Sequence, residues 1–348
     1  MSPRGTSRGA GEPPARPNCG PPKSRILGCG SFLPPLTRTN ADLEAMVETS
    51  DSWIRERTGI GERRVAPPGM LTSDMAAEAA KAALVSADVP PRKIDLIVVA
   101  TITPDVPMPA TAVFVQQKIG AAPTCPAFDL SAACAGFIYG ITVADKFLAS
   151  GAAEHVLVIG VEMLSRVVNW TDRSTCVLFG DGAGAVVMGR ATGDDRGLLG
   201  STIYSDGSLA NSLIIPGGGT AAPLSTETIA QRRNTIHMKG QDIFKAAVKN
   251  LYSSSQHLVD SMGLHNDDVD WVVPHQANMR IIDQVTMRAN YPKGKVLSNI
   301  ERVGNTSSAS IPILLDERVK DGTIKPSDLV LMCALGAGLS WGAALVRM

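Results

Sequence analysis

Aromatic side chains are scarce, at 4% of 348 residues, and neither charge sign is in excess: 33 Lys and Arg face 33 Asp and Glu. With so few rings, any core must be packed from aliphatic side chains. A neutral chain exerts no long-range pull on nucleic acid or an anionic membrane, so neither is expected as a partner. No apolar run reaches the roughly 18 residues that cross a bilayer, and no signal-peptide apolar region is visible. The six cysteines, at positions 19, 29, 125, 134, 176 and 333, show no C-x-x-C spacing. They read as reduced, buried thiols of a cytoplasmic protein, without a structural metal site. What the chain does have is 44% hydrophobic content over a length that can bury one large core or two fused halves.

Met1 to Ser24 is rich in Pro, Gly and Arg without apolar periodicity, which predicts a disordered tail. Its basic, acid-poor character would suit a targeting peptide, but the prolines disfavour an amphipathic helix, so a floppy tail or an overlong start is the preferred reading. The remainder holds a weak internal repeat. Lys93 to Thr101 has a counterpart in Asp268 to His275, and each is followed by a helix, a short strand and a small-residue junction. Val156 to Gly160 is matched by Leu329 to Cys333, and Gly182 to Met188 by Gly336 to Val346. Strands alternating with helices predict mixed, mostly parallel sheets covered by helices, in two halves spanning 25–195 and 196–348. The glycine-rich stretch Gly180 to Ala185 superficially echoes a dinucleotide fingerprint. It lies mid-chain and leads into a β-rich run, where a dinucleotide motif would open a helix, so nicotinamide binding is not expected.

Three segments carry chemistry. Pro126 to Phe137 runs from a short apolar strand through Ser131-Ala132-Ala133 to Cys134, then into a helix-forming run ending near Leu148. A thiol on a helix N-terminus meets the macrodipole and free backbone N–H groups, which favour thiolate over thiol. On its own, the segment equally fits a small cysteine packed beneath a helix. Val272 to Asn278 is an apolar strand ending in His275, and Val303 to Pro312 puts Asn305 at another strand-to-helix junction, where it would also cap. Singly, these are a core histidine and a cap.

In this order Cys134, His275 and Asn305 resemble the Cys-His-Asn triad of the thiolase superfamily, in its β-ketoacyl-acyl-carrier-protein synthase III branch. The resemblance runs from about Arg25 to Met348 and includes Asp51-Ser52-Trp53-Ile54, Arg57-Thr58-Gly59-Ile60, Thr171 to Thr175, Phe179 to Ala185 and Ser340-Trp341-Gly342-Ala343. It implies a thiolase-like five-layered αβαβα fold in which Cys134 and Asn305 are pseudo-symmetric. It implies, too, a homodimeric condensing enzyme that joins a short acyl-CoA to malonyl-acyl carrier protein and initiates fatty-acid synthesis. Cys134 would carry the acyl group, with its own N–H and that of Ala337 forming the oxyanion site. His275 and Asn305 would stabilise the enolate left by loss of CO₂. Asparagine suits that role because it donates without titrating, and it separates this branch from elongating synthases, which have histidine there. No metal or redox cofactor is implied.

The resemblance also assigns Trp53, Arg57, Arg173 and Asn278 to coenzyme A, and Gln276, Arg280, Lys245 and Arg288 to the acidic carrier protein. Met108 falls where the family reaches into the partner subunit's acyl pocket. The turn Leu335-Gly336-Ala337-Gly338 departs from the family's Phe followed by three glycines, placing Leu335 on the expected acyl-pocket wall. Two alternatives are a condensing enzyme of polyketide or signal-molecule biosynthesis with the same triad, and a catalytically silent partner subunit. Retention of all three triad residues argues against the second.

Overall fold

The computed structural model describes residues 21–348. The tail expectation for residues 1–20 lies outside the described residues. Ser24, which that expectation included, belongs to the fold: it is buried, opens the first strand and donates to Asp145 Oδ1 at 2.7 Å.

The first sheet contains β1 (Ser24–Phe32), β2 (Leu96–Ala100), β3 (Ala127–Leu130), β4 (His155–Met163) and β5 (Asp181–Arg190), in the order β1-β5-β4-β2-β3. The second contains β6 (Gly197–Ser205), β7 (Trp271–Pro274), β8 (Leu329–Gly336) and β9 (Ser340–Arg347), in the order β7-β8-β9-β6. In the first, β2 runs parallel to β4 while β5 is antiparallel to both β4 and β1. In the second, β7 runs parallel to β8 while β9 is antiparallel to both β8 and β6. The pairing senses therefore repeat element by element, as the sequence repeat predicts. One element does not survive duplication: the counterpart of β3 shrinks to a single parallel bridge between Val272 and Val296. The glycine-rich stretch enters β5 and opens no helix.

The helices that matter here are α1 (Asp51–Thr58), α2 (Thr72–Ala87), α3 (Thr111–Ile119), α4 (Gly136–Ser150), α5 (Gly240–Ser261), α6 (Met279–Arg288) and α7 (Ser310–Lys320). Helices α2 and α3 cover the outer face of the first sheet, α4 and α7 lie between the sheets, and α5 and α6 cover the second. That is the expected α-β-α-β-α stack. Sandwiching explains why α4 buries Phe137, Ile138, Ile141, Ala144 and Leu148 around more than one face. Each large aliphatic side chain withdrawn from water contributes about 1.5–3 kcal/mol, which lets a core poor in rings hold five layers.

Strand alternation sorts the side chains of β8. Val330, Met332 and Ala334 face the central helices, whereas Leu331, Cys333 and Leu335 face the layer of α5 and α6.

Candidate active site

Both halves present the same turn at the end of a strand layer. Ala132 is followed by left-handed Ala133 (φ 45°), a single 3₁₀ turn over Ala133–Ala135, and α4. In the other half Thr306 is followed by left-handed Ser307 (φ 50°), a 3₁₀ turn over Ser307–Ala309, and α7. This register makes Ser308 the counterpart of Cys134. Asn305, expected to be the pseudo-symmetric partner, lies three residues earlier, where its backbone pairs with Phe179.

A left-handed non-glycine residue costs about 1–3 kcal/mol and persists only where its surroundings hold it. At Cys134 the facing strand does so through Gly336. A Cβ on Gly336 would lie 2.5 Å from the Cys134 nitrogen and 3.1 Å from Ala133 Cβ, so only glycine lets β8 close on the turn. The next residue, Ala337, lines the same cavity as Cys134 and is not among the residues with positive φ, so its Cβ is unstrained and its N–H remains a donor.

The segment Asn305 to Ser310 connects the three expected catalytic residues. Asn305 is buried, its N–H donates to Leu178 O at 2.9 Å, and its Oδ1 accepts the Ser307 N–H at 2.8 Å. That last bond closes a local turn two residues long and is not the expected helix cap, since Thr306 holds the N-cap position; it leaves the Nδ2 hydrogens as donors. The Ser307 hydroxyl, which donates to Glu162 Oε1 at 3.1 Å, lines the same cavity as the Cys134 sulfur and favours its ionised form. His275 is buried at the end of β7; its Nδ1 lies 2.6 Å from Ser310 Oγ, which also accepts the Gln276 N–H at 3.2 Å. In the tautomer that carries its proton on Nε2, Nδ1 accepts the Ser310 hydroxyl hydrogen.

Burial sets the charge states. Desolvation pushes the Cys134 thiol up to about 12; the bond from Ser307 opposes this, and the charge of Glu162 adds to it. Burial of the sulfur thus acts against the thiolate that the helix dipole favours. Burial pushes His275 down to about 3, so its imidazole is neutral at ordinary pH. Alkylation of Cys134 by iodoacetamide in the ligand-free protein should accordingly climb about tenfold per pH unit from about pH 7 to 9, since only thiolate reacts. A plateau below pH 8 would contradict the burial argument.

Cys134 opens onto a cavity of about 450 Å³ whose apolar walls include Ile102, Leu164, Phe179, Ile214, Ile215 and Ile236. Sequence reading missed these residues because an aliphatic side chain on a cavity wall looks like any core residue. Leu335, expected on that wall, is a correction: alternation along β8 turns it into the outer layer among the α5 and α6 contacts. Met108, the other expected pocket residue, is 85% exposed on the loop after β2.

The expected coenzyme residues divide. Trp53 on α1 is flanked by two guanidinium groups, Arg57 at 5.0 Å and Arg173 at 5.2 Å from the ring. Asn278 caps α6: its Oδ1 accepts the Arg280 N–H, and its Nδ2 donates to Arg57 O, joining α6 to α1. Its amide keeps a second Nδ2 hydrogen beyond these bonds. The carrier-protein residues divide as well. Arg280 and Arg288 are exposed on α6, stacked over Phe244 and Tyr252 of α5, and Lys245 is exposed on α5. Gln276 is a correction. It is fully buried, donates to Pro274 O at 2.8 Å and accepts from Ser298 Oγ at 2.7 Å, so no partner surface can reach it. Among the described residues, no group of three or more His, Cys, Asp or Glu side chains could hold a metal, and no helix is long and apolar enough to cross a membrane.

Comparison with known proteins agrees with this geometry. Residues 128–207 match the family described as 3-oxoacyl-[acyl-carrier-protein (ACP)] synthase III, and residues 259–348 match its C-terminal family. The chain is 48% identical over 322 residues to the beta-ketoacyl-[acyl-carrier-protein] synthase III of Caldanaerobacter subterraneus subsp. tengcongensis, covering 92% of this chain and 97% of that protein. The crystal structure of 3-oxoacyl-[acyl-carrier-protein] synthase III from Aquifex aeolicus superposes with a TM-score of 0.86 at 46% identity, covering 93% of this chain and all of that one. The priming beta-ketosynthase of the R1128 polyketide pathway superposes with a TM-score of 0.87 at 34% identity, covering 94% of this chain and 97% of that one.

Proposed function

From the premise that the chain belongs to the 3-oxoacyl-[acyl-carrier-protein] synthase III family, we propose that it condenses a short acyl-CoA with malonyl-acyl carrier protein through an acyl group held on Cys134. It is an acyltransferase of the condensing type. The Cys134 sulfur attacks the acyl-CoA thioester carbonyl as its proton leaves, and the Cys134 and Ala337 N–H groups hold the tetrahedral oxyanion. Collapse breaks the carbon–sulfur bond to coenzyme A, which departs as its thiol and leaves a new thioester on Cys134. Malonyl-carrier protein then enters. His275 Nε2–H and Asn305 Nδ2–H donate to its thioester carbonyl, so that the C–C bond to the carboxylate breaks, CO₂ leaves and an enolate remains. The enolate carbon attacks the acyl thioester, the carbon–sulfur bond to Cys134 breaks, and a 3-ketoacyl product departs. The neutral imidazole and the amide suit this work because both donate without carrying charge into the dry site. No step draws on a metal or redox group.

The observation that carries this reading is the Asn305 to Ser310 segment, whose Ser307 lines the same cavity as Cys134 and whose Ser310 is hydrogen-bonded to His275. Trp53, between Arg57 and Arg173, supports binding of the adenine and phosphates of coenzyme A. Lys245, Arg280 and Arg288 support docking of an acidic carrier protein. The unpaired outer edge of β3 and the exposed Met108 support a homodimer in which the sheets join and the methionine reaches the partner's cavity.

A second reading, priming of a polyketide chain by the same chemistry, draws on the likeness to a polyketide priming synthase. Incubation with a panel of acyl-CoAs, read as mass gained on the Cys134 peptide, tests both. A single acyl adduct at Cys134 is the expected result, and the chain length accepted separates the pathways. No adduct with any acyl-CoA, or one on another cysteine, would overturn the assignment.

A further inference from the structure

Glu162 near the end of β4 is a fully buried acid that the reaction above does not use. Its Oε2 accepts from Thr103 Oγ1 at 2.7 Å, from the Ile102 N–H at 3.1 Å and from Thr101 Oγ1 at 3.3 Å, all on the loop that follows β2. Its Oε1 accepts from Ser307 Oγ at 3.1 Å and lies 3.3 Å from Ser308 Oγ, whose hydroxyl also donates to Ala100 O at 2.8 Å. One carboxyl group therefore bridges the Cys134 half to the Asn305 half at the point where their two turns meet. Burial pushes this acid up to about 7, against the pull of the bonds from Thr103, Ile102 and the two serines.

The duplication shows what is unusual here. In the strand pairing β4 corresponds to β8: Val156 stands beside Leu96 as Val330 stands beside Trp271, which sets Glu162 opposite Gly336 in the repeat. At the Cys134 turn the facing strand offers a glycine, and an open cavity lies above the sulfur. At the equivalent Ser308 turn the facing strand packs Gly160 on the backbone, where a Cβ would lie 2.2 Å from Ser308 O, and two residues on it sets the Glu162 carboxyl against the Ser307 and Ser308 hydroxyls. Both turns border the cavity, and only the Ser308 turn carries an acid bonded to its hydroxyls.

Resting on the condensing reaction proposed above, we propose that Glu162 is a positioning residue: it clamps the Ser307 hydroxyl, and thereby holds Asn305 and the Cys134 sulfur in the register at which they act. Ser307 is the link the clamp needs, since its N–H fixes the Asn305 amide, its hydroxyl donates to Glu162, and it lines the same cavity as the Cys134 sulfur. A misplacement of about an ångström between reacting groups costs up to roughly a hundredfold in rate.

The test uses Glu162→Gln, Ser307→Ala and the double variant of the full chain, with single-turnover acyl transfer to Cys134 and steady-state condensation as readouts. Each single variant should lose roughly tenfold to a hundredfold in kcat for condensation, with KM for acyl-CoA within about twofold of wild type, because the coenzyme entrance at Trp53 is untouched. The double variant should be no slower than the worse single one, since both break one clamp. A Glu162→Gln protein with wild-type kcat, losses that multiply in the double variant, or a loss confined to KM would overturn the proposal. If Glu162→Gln fails to fold, Ser307→Ala decides alone: wild-type kcat in that variant overturns the clamp, and loss of kcat at unchanged KM upholds it. Failure of the underlying reading is distinguishable, because then wild-type Cys134 would itself take up no acyl group.

Discussion

Cys134→Ala should fold normally and neither take up an acyl group nor form a 3-ketoacyl product, while still releasing CO₂ from malonyl-carrier protein. The side chain is small and buried, and its turn is held by backbone contacts with Gly336, so alanine keeps the geometry. Only the sulfur can form the thioester, which makes the loss complete for both transacylation and condensation. Decarboxylation depends on His275 and Asn305, which the substitution leaves in place. Mass spectrometry of the variant after acyl-CoA treatment, with radiolabelled CO₂ release measured alongside, gives both answers. An acyl adduct on any of the other cysteines would sink the assignment of the nucleophile.

Asn305→Ala should separate the two halves of the reaction. Acyl transfer to Cys134 should persist, whereas condensation should fall by roughly a hundredfold or more, the usual scale for removing one oxyanion donor. The structure adds a control. Asn305 Oδ1 also accepts the Ser307 N–H, and loss of that hydrogen bond alone costs about 1 kcal/mol of stability. Asn305→Asp keeps the acceptor and loses the Nδ2 donors, so it should hold the turn yet condense as poorly as alanine. His275→Ala should lose condensation at least as severely, since the buried neutral imidazole supplies the second donor. Single-turnover label transfer from acyl-CoA and CO₂ release distinguish the steps. An Asn305→Ala protein that condenses at near wild-type rate would reduce Asn305 to a turn residue and end the triad reading.

The residues expected to meet a carrier protein illustrate where residue identity stops being informative. Arg280 and Gln276 lie four residues apart in one motif, yet one is exposed on α6 and the other sealed beneath it. The exposed guanidinium groups of Arg280 and Arg288 owe their position to Phe244 and Tyr252 on a separate helix, a pairing no local pattern encodes.

What the sequence by itself determined are features written in short windows. The strand-to-helix junctions at Cys134 and Asn305, the histidine closing an apolar strand, the duplicated order of strands and the β-strand fate of Gly180 to Ala185 all follow from local periodicity, small residues and turn chemistry. Only tertiary structure decided what depends on close approach between distant segments. It turned Leu335 outward by strand alternation, buried Gln276, made Ser308 the counterpart of Cys134 and brought Glu162 against Ser307 across 145 positions of chain. It also set burial against the helix dipole at Cys134, because a dipole is a property of one segment whereas desolvation is imposed by every segment packed around the sulfur.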